Sequence, residues 1–193
     1  MTDFNSELPT TPLGTVIYCS LLEPTLNDKN KREEYYITVK FPPHIIQPLK
    51  EKLDAQLQNY FNTEVKNKYL PLKSEVVKSV KNAEKQPTGE LMINFSSNAY
   101  ITKKNGTKLD QPIALFNRAG IPSREEEVWS GAKVIVSYQP YFWEKEGIGY
   151  GLSLNLKGVQ VVVPSKGRDI NDPAPFGFKP IAEDVESFDD IPF

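Results

Sequence analysis

Apolar and polar residues alternate with a period of two along most of the chain, and a helical period interrupts them once. Thr15–Leu22 reads as a first strand, and Asn27–Arg32 as a polar loop. Glu34–Phe41 then sets Tyr35, Ile37, Val39 and Phe41 on one face and Glu34, Tyr36, Thr38 and Lys40 on the other, the mark of a half-buried strand. Pro42-Pro43 ends it. Ile45, Ile46, Leu49, Leu53, Leu57, Tyr60 and Phe61 recur at three- and four-residue spacing, which predicts an amphipathic helix whose Pro48 is tolerable only in its first turn. Within the lysine-rich stretch 66–85, Val76, Val77 and Val80 predict a second short helix after Pro71.

Strand periodicity returns at Gly89, with Leu91, Ile93 and Phe95 alternating. The Asn105-Gly106 pair predicts a tight hairpin turn carrying Lys103, Lys104 and Lys108. Ile113–Phe116 is a short strand, and Glu125, Glu126 and Glu127 fall in a loop. Lys133–Trp143 is a longer strand running into an aromatic end. Beyond a turn at 144–147, Ile148, Tyr150, Leu152, Leu154 and Leu156 alternate until Gly158 breaks the run, and Val159–Val163 resumes it. About five strands and one helical excursion predict a mainly β fold with an inserted helix. The five-stranded OB-fold barrel fits best, with an SH3-like barrel or small sandwich as alternatives. The expected organisation is a flexible arm over 1–12, a barrel domain over 13–165 with its helical insertion at about 43–85, and a linker with an acidic disordered tail over 166–193.

Charge divides the chain in the same place. The net charge is −2, yet all 23 Lys and Arg precede residue 180, while five of the 25 acidic residues lie in 183–193. Residues 1–179 therefore carry about +3. This mildly basic body is tethered to a tail able to compete with a polyanion for its surface. No apolar run approaches the ~20 residues of a membrane span, and residues 1–11 hold no signal-like apolar core. A lone Cys19 excludes an internal disulfide and fits a reducing cytoplasm.

Enzymatic chemistry finds little support. His44 is the only histidine, so neither a zinc cluster, a Cys-His pair nor a Ser-His-Asp set can be assembled with Cys19. No metal or other cofactor is expected. Gly147-Ile-Gly-Tyr-Gly151 lacks the following helix of a phosphate loop. Its glycines read instead as bending a strand or letting a ligand approach the backbone.

Binding is better represented. Aromatic rings beside lysines suit single-stranded nucleic acid, where bases stack on rings and cations track phosphates. Tyr36, Tyr100, Tyr141 and Trp143 are the candidate stacking residues, with Tyr150 facing them across a hairpin, although Tyr150 is equally in phase with core aliphatics. Lys40, Lys103, Lys104, Lys108, Arg118 and Lys133 are the candidate phosphate contacts.

Two stretches carry family resemblances. Asp189-Asp190-Ile191-Pro192-Phe193 resembles the C-terminal tip of bacterial single-stranded DNA-binding proteins, which recruits replication and repair partners. Residues 131–142 (Gly-Ala-Lys-Val-Ile-Val-Ser-Tyr-Gln-Pro-Tyr-Phe) and 147–161 (Gly-Ile-Gly-Tyr-Gly-Leu-Ser-Leu-Asn-Leu-Lys-Gly-Val-Gln-Val) resemble a phage-encoded single-stranded DNA-binding protein family. That resemblance implies an OB fold with an inserted helix and an acidic tail, acting in phage replication, recombination and repair within the host cytoplasm. The expected partners are single-stranded DNA and, through the tail, a polymerase, helicase, nuclease or host proteins that recognise such tails; a homodimer is compatible with the sequence. Strand annealing, or a protein-binding adaptor without DNA affinity, stand as alternative functions.

Overall fold

The computed structural model describes residues 7–28, 30–73, 75–124 and 128–165. They form β1 (Gly14–Asn27), β2 (Arg32–Phe41), α1 (Pro43–Thr63), β3 (Val77–Lys81), β4 (Pro87–Asn98), β5 (Tyr100–Thr102), β6 (Lys108–Asp110), β7 (Ala114–Phe116), β8 (Lys133–Lys145) and β9 (Gly149–Val163). The expected acidic tail and the Glu125–Glu127 loop lie outside the described residues.

The alternation read in the sequence becomes a barrel because every strand has one apolar face to bury. β1, β2 and β4 pair antiparallel in succession, β1 also pairs with β8, and β8 with β9. One parallel pairing, Ser96 with Asn155, joins β4 to β9 and closes the ring. This is the five-stranded Greek-key barrel of the OB fold. β3 extends the sheet beyond β4, β7 extends it beyond β9, and β5–β6 form a separate hairpin. Inside sit Val16, Ile37, Val39, Phe41, Ile93, Phe95, Val134, Val136, Tyr138, Leu152, Leu154 and Leu156, all almost fully buried. The Phe95 and Tyr138 rings meet at 5.6 Å.

Helix α1 contributes Ile46, Leu53 and Leu57 to the same core. Its last turn stacks Tyr60 on Phe142 and Phe61 on Tyr150, with ring centroids 5.1 and 4.8 Å apart. Pro43, its φ already suited to a helix, occupies the first helical position after Pro42. The early start places Pro48 in the second turn rather than the first, so its ring removes one helical hydrogen bond there.

The stretch after α1 departs from expectation. Where a second helix was predicted, Val77–Lys81 is strand β3, paired antiparallel with β4. The β-branched Val77 and Val80 find an open edge of β4 to pair with, which outweighs a weak helical spacing. Before it, residues 64–73 form a strap across the end of the β8–β9 hairpin. The Lys66 and Asn67 amides donate to the Glu144 carboxylate at 3.2 and 3.3 Å. Tyr150 N–H donates to the Pro71 carbonyl, and Lys73 N–H to the Tyr150 carbonyl at 3.0 Å. The chain thus bonds first to β9 and then to β4, running along the seam where those strands share their single pairing.

Two further details differ from the sequence reading. Gly158 does not interrupt β9, which runs unbroken with Gly158 paired to both Ser137 and Ala114. A Cβ at Gly158 would lie 3.2 Å from the Ala114 carbonyl, so the missing side chain admits β7 instead of ending the strand. Pro9–Thr11, expected in the arm, hydrogen-bond to β8: Thr11 N–H to the Val136 carbonyl and Tyr138 N–H to the Pro9 carbonyl. Among the described residues no helix is long and apolar enough to cross a membrane. Cys19 sits half-buried in β1, its thiol directed at the Val128 carbonyl and its pKa pushed up to about 11 by burial.

Candidate nucleic-acid interface

The outer surface of β1, β2 and β4 follows from the same two-residue period, since residues between the core positions must face out. One register row runs across Ser20, Tyr36, Ser96, Asn155 and Gln139, in the order β1, β2, β4, β9, β8. Tyr36 is therefore carried at the centre of the curved face. Its neighbour is Tyr18, 49% exposed, whose ring meets it edge-on at 6.1 Å.

Strict alternation hides Tyr18, because it places Tyr18 in phase with the buried Val16. In the structure Val16 pairs with Val39, but Tyr18 pairs with the very next β2 residue, Thr38. Ile17 is thus the extra residue of a β-bulge, and beyond it the two faces of β1 exchange. No residue type in the stretch announces the bulge, so periodicity alone misses Tyr18.

Next along β2, Thr38 donates to Asn94 Oδ1 at 2.9 Å, and Lys40 is held by Glu90 at 2.8 Å. Lys40 was expected to contact phosphate, and its ammonium is already matched by a carboxylate.

At the other end of β2 the β5–β6 hairpin bends over the face. Its turn differs from the expected two-residue form. The Gly106 amide bonds the Lys103 carbonyl, Lys103 N–H bonds the Thr107 carbonyl, and Gly106 has φ +81°. Lys104-Asn105-Gly106 thus form a three-residue loop, with Gly106 relieving the left-handed position. Lys103 and Lys104 are exposed in this turn, and Lys108 Nζ lies 5.1 Å over the Tyr100 ring. The Tyr100 hydroxyl donates a hydrogen bond to Glu33, and that bond, followed by the carboxylate's charge, raises the phenol pKa above the ordinary value. Between hairpin and barrel opens a cleft of about 630 Å³. Tyr100 and Lys108 line it together with Leu26, Lys31, Arg32 and Asn98. Lys31 and Arg32 were missed because they read as a solvated loop.

The remaining candidates lie elsewhere. Tyr141, 56% exposed, and Trp143 stand on the outer face of β8, with Trp143 Nε1 donating to Ser153 Oγ at 3.2 Å. Tyr141 pairs with Ser153, two residues from the Asn155 of the Tyr36 row, so these rings lie across the seam from β4. Tyr150 is committed to Phe61 and to the strap. Lys133 begins β8 with its ammonium on Thr15 Oγ1 at 2.7 Å. Eight residues separate Lys133 from Tyr141, about 26 Å along the strand. Arg118 is exposed in the turn after β7, where its carbonyl accepts from Gln160. The structure therefore gathers Tyr36, Tyr100, Lys103, Lys104 and Lys108 on one side, and sets Arg118 and Lys133 apart from them.

A small closed five-stranded barrel with an inserted helix defines the OB class of folds, here with tyrosines on its outer face and lysine-bearing loops beside it. Solved structures narrow the likeness of fold to phage single-stranded DNA-binding proteins. One is gp2.5 of bacteriophage T7, with a TM-score of 0.57 and 16% identity over 86% of this chain and 97% of that one. Another is the protein of bacteriophage Enc34 in complex with single-stranded DNA, with a TM-score of 0.59 and 16% identity over 82% and 88%. A C-terminal truncation of the Enc34 protein gives 0.56 and 17% over 81% and 86%. No protein-family model matches the sequence, and no curated protein shows significant similarity to it.

Proposed function

We propose that this chain is a non-catalytic binder that coats single-stranded DNA with little sequence preference, in phage replication, recombination and repair. The observation that carries the proposal is the Tyr18–Tyr36 pair on the outer face of β1–β2, beside a cleft in which Lys108 overlies Tyr100 and Lys31 and Arg32 line the wall. The exposed Tyr18 ring and the half-buried Tyr36 ring offer stacking to any base, because every base has a π-face, and the cations take the phosphates. Duplex DNA hides those faces. The fold shared with proteins described as single-stranded DNA-binding supports the same reading. Tyr141 and Trp143 extend the aromatic surface across the seam.

A titration of intrinsic fluorescence with oligothymidine and with duplex, at several salt concentrations, tests this. Trp143 and Tyr36 emission is expected to be quenched by the single strand alone, with log affinity falling against log salt by about 0.7 per phosphate contacted. No response to oligothymidine would leave the adaptor reading in its place.

In the same proposal, the acidic residues 183–193 compete with DNA for the basic face, and Asp189, Asp190, Ile191, Pro192 and Phe193 recruit protein partners. Deleting 183–193 is expected to tighten DNA binding at low salt and to change it little at high salt, where the competition is screened. A truncated chain that binds DNA no more tightly than the full chain at low salt would remove the competition.

A further inference from the structure

The outer face of β2 carries a cleft at its start and, at its other end, a second concavity lined by lysines of the 66–85 stretch, which the sequence pattern reads more readily as a solvated face than as phosphate contacts. Strand β3 does not lie flat against the barrel. With β4 it makes a ribbon that encloses a trough of about 570 Å³ against the outer face of β1. Ile17, Tyr18 and Met92 give the trough apolar surface, and Lys78, Ser79, Val80 and Lys81 of the ribbon line it, with Glu75 at its margin. Lys78 pairs with Met92 across β3–β4, so the ribbon lysine and the apolar surface are neighbours by register.

Tyr18 belongs both to this trough and to the ring pair with Tyr36. A polymer lying on Tyr36 therefore continues into the trough without leaving the surface. Arg32, in the first cleft, and Lys40, which pairs with Met92 in the register, are eight residues apart on β2, about 26 Å. The two concavities are thus the ends of one path with a pair of tyrosines at its middle.

We infer that the β3–β4 ribbon forms a second DNA subsite, in which Lys78 and Lys81 hold phosphates of the same single strand that stacks on Tyr18 and Tyr36. The inference rests on the proposed DNA binding and adds where the strand goes. Its chemistry matches the occupant: two ammonium groups for phosphates, and a methionine thioether and an aliphatic wall for base or sugar. Glu75 discourages a phosphate at its own edge and so directs the backbone towards the Lys81 side. A consequence is a minimum length, since an oligonucleotide too short to span Arg32 to Lys81 fills only one end.

The test uses the full chain and an oligothymidine series of increasing length, comparing wild type with Lys78→Ala/Lys81→Ala. Wild-type affinity is expected to rise with length and then level off. The double variant should level off at a shorter length, with a salt slope smaller by about 1.4, two contacts at roughly 0.7 each. It should match wild type on the shortest oligonucleotides that bind. Lys52→Ala, on an exposed position of α1 away from the trough, should leave the length dependence and the slope in place. If wild type binds and Lys78→Ala/Lys81→Ala keeps the same length dependence and slope, the second subsite is overturned while DNA binding stands. If wild type binds no oligonucleotide of any length, the proposed function itself fails.

Discussion

Replacing Tyr18 and Tyr36 together by alanine is expected to weaken single-stranded DNA binding at least tenfold while leaving the barrel folded. Each stacked base is worth about 1–3 kcal/mol, roughly 5- to 150-fold in affinity. The two rings touch edge-on at 6.1 Å, so removing both should cost less than the sum of the single losses. Neither ring fills the interior, where Val16, Ile37 and Val39 do the packing, so the melting temperature should move by only a few degrees. The salt slope should also hold, because aromatic truncation removes no cation. Titration and thermal melting of the two single variants and the double variant check this. Unchanged affinity in the double variant would remove the face of β1–β2 as the binding surface.

Gly149→Ala is expected to destabilise the chain by about 2–6 kcal/mol, from overpacking at about 1–3 kcal/mol and backbone strain of similar size. Gly149 has φ +147°, and a Cβ there would run into the Pro71 carbonyl oxygen and Lys73 Cγ of the strap. The obstacle is backbone, which cannot rotate aside. Relieving it means breaking the pairing of Tyr150 with Pro71 and Lys73. For a chain of this size the melting temperature should fall by roughly 4–24 °C. Gly147→Ala is the control: its φ is +71°, but a Cβ there meets nothing within 4 Å. It should cost only about 1 kcal/mol. Equal melting temperatures for the two variants would mean that the strap does not press on β9.

Gly149 also shows how a motif is legible while its meaning is not. The sequence marks Gly147, Gly149 and Gly151 as places where something approaches the backbone. At Gly149 the approaching group is the chain's own strap, some 80 residues earlier in sequence, rather than a ligand.

Much of the fold follows from local pattern. Tyr35, Ile37, Val39 and Phe41, then Ile93 and Phe95, then Leu152, Leu154 and Leu156 declare strands with one buried face, and Ile46, Leu53 and Leu57 declare a helix joining the same core. A period of two or of 3.6 records which face meets water, and that is a property of each segment alone. Tyr36 was legible as a candidate for the same reason, as an aromatic residue out of phase with the core, and Tyr100 and Lys108 from their place beside the Asn105-Gly106 turn. Tertiary structure decided what no segment holds by itself. The bulge at Ile17 exchanges the faces of β1 and exposes Tyr18. The open edge of β4 makes a strand of Val77–Lys81. Glu90 occupies the Lys40 ammonium, and the path of β8 carries Lys133 away from the tyrosines. Each outcome depends on a partner distant in sequence, because hydrogen-bond edges and charges are satisfied across the fold by whichever group the topology brings near.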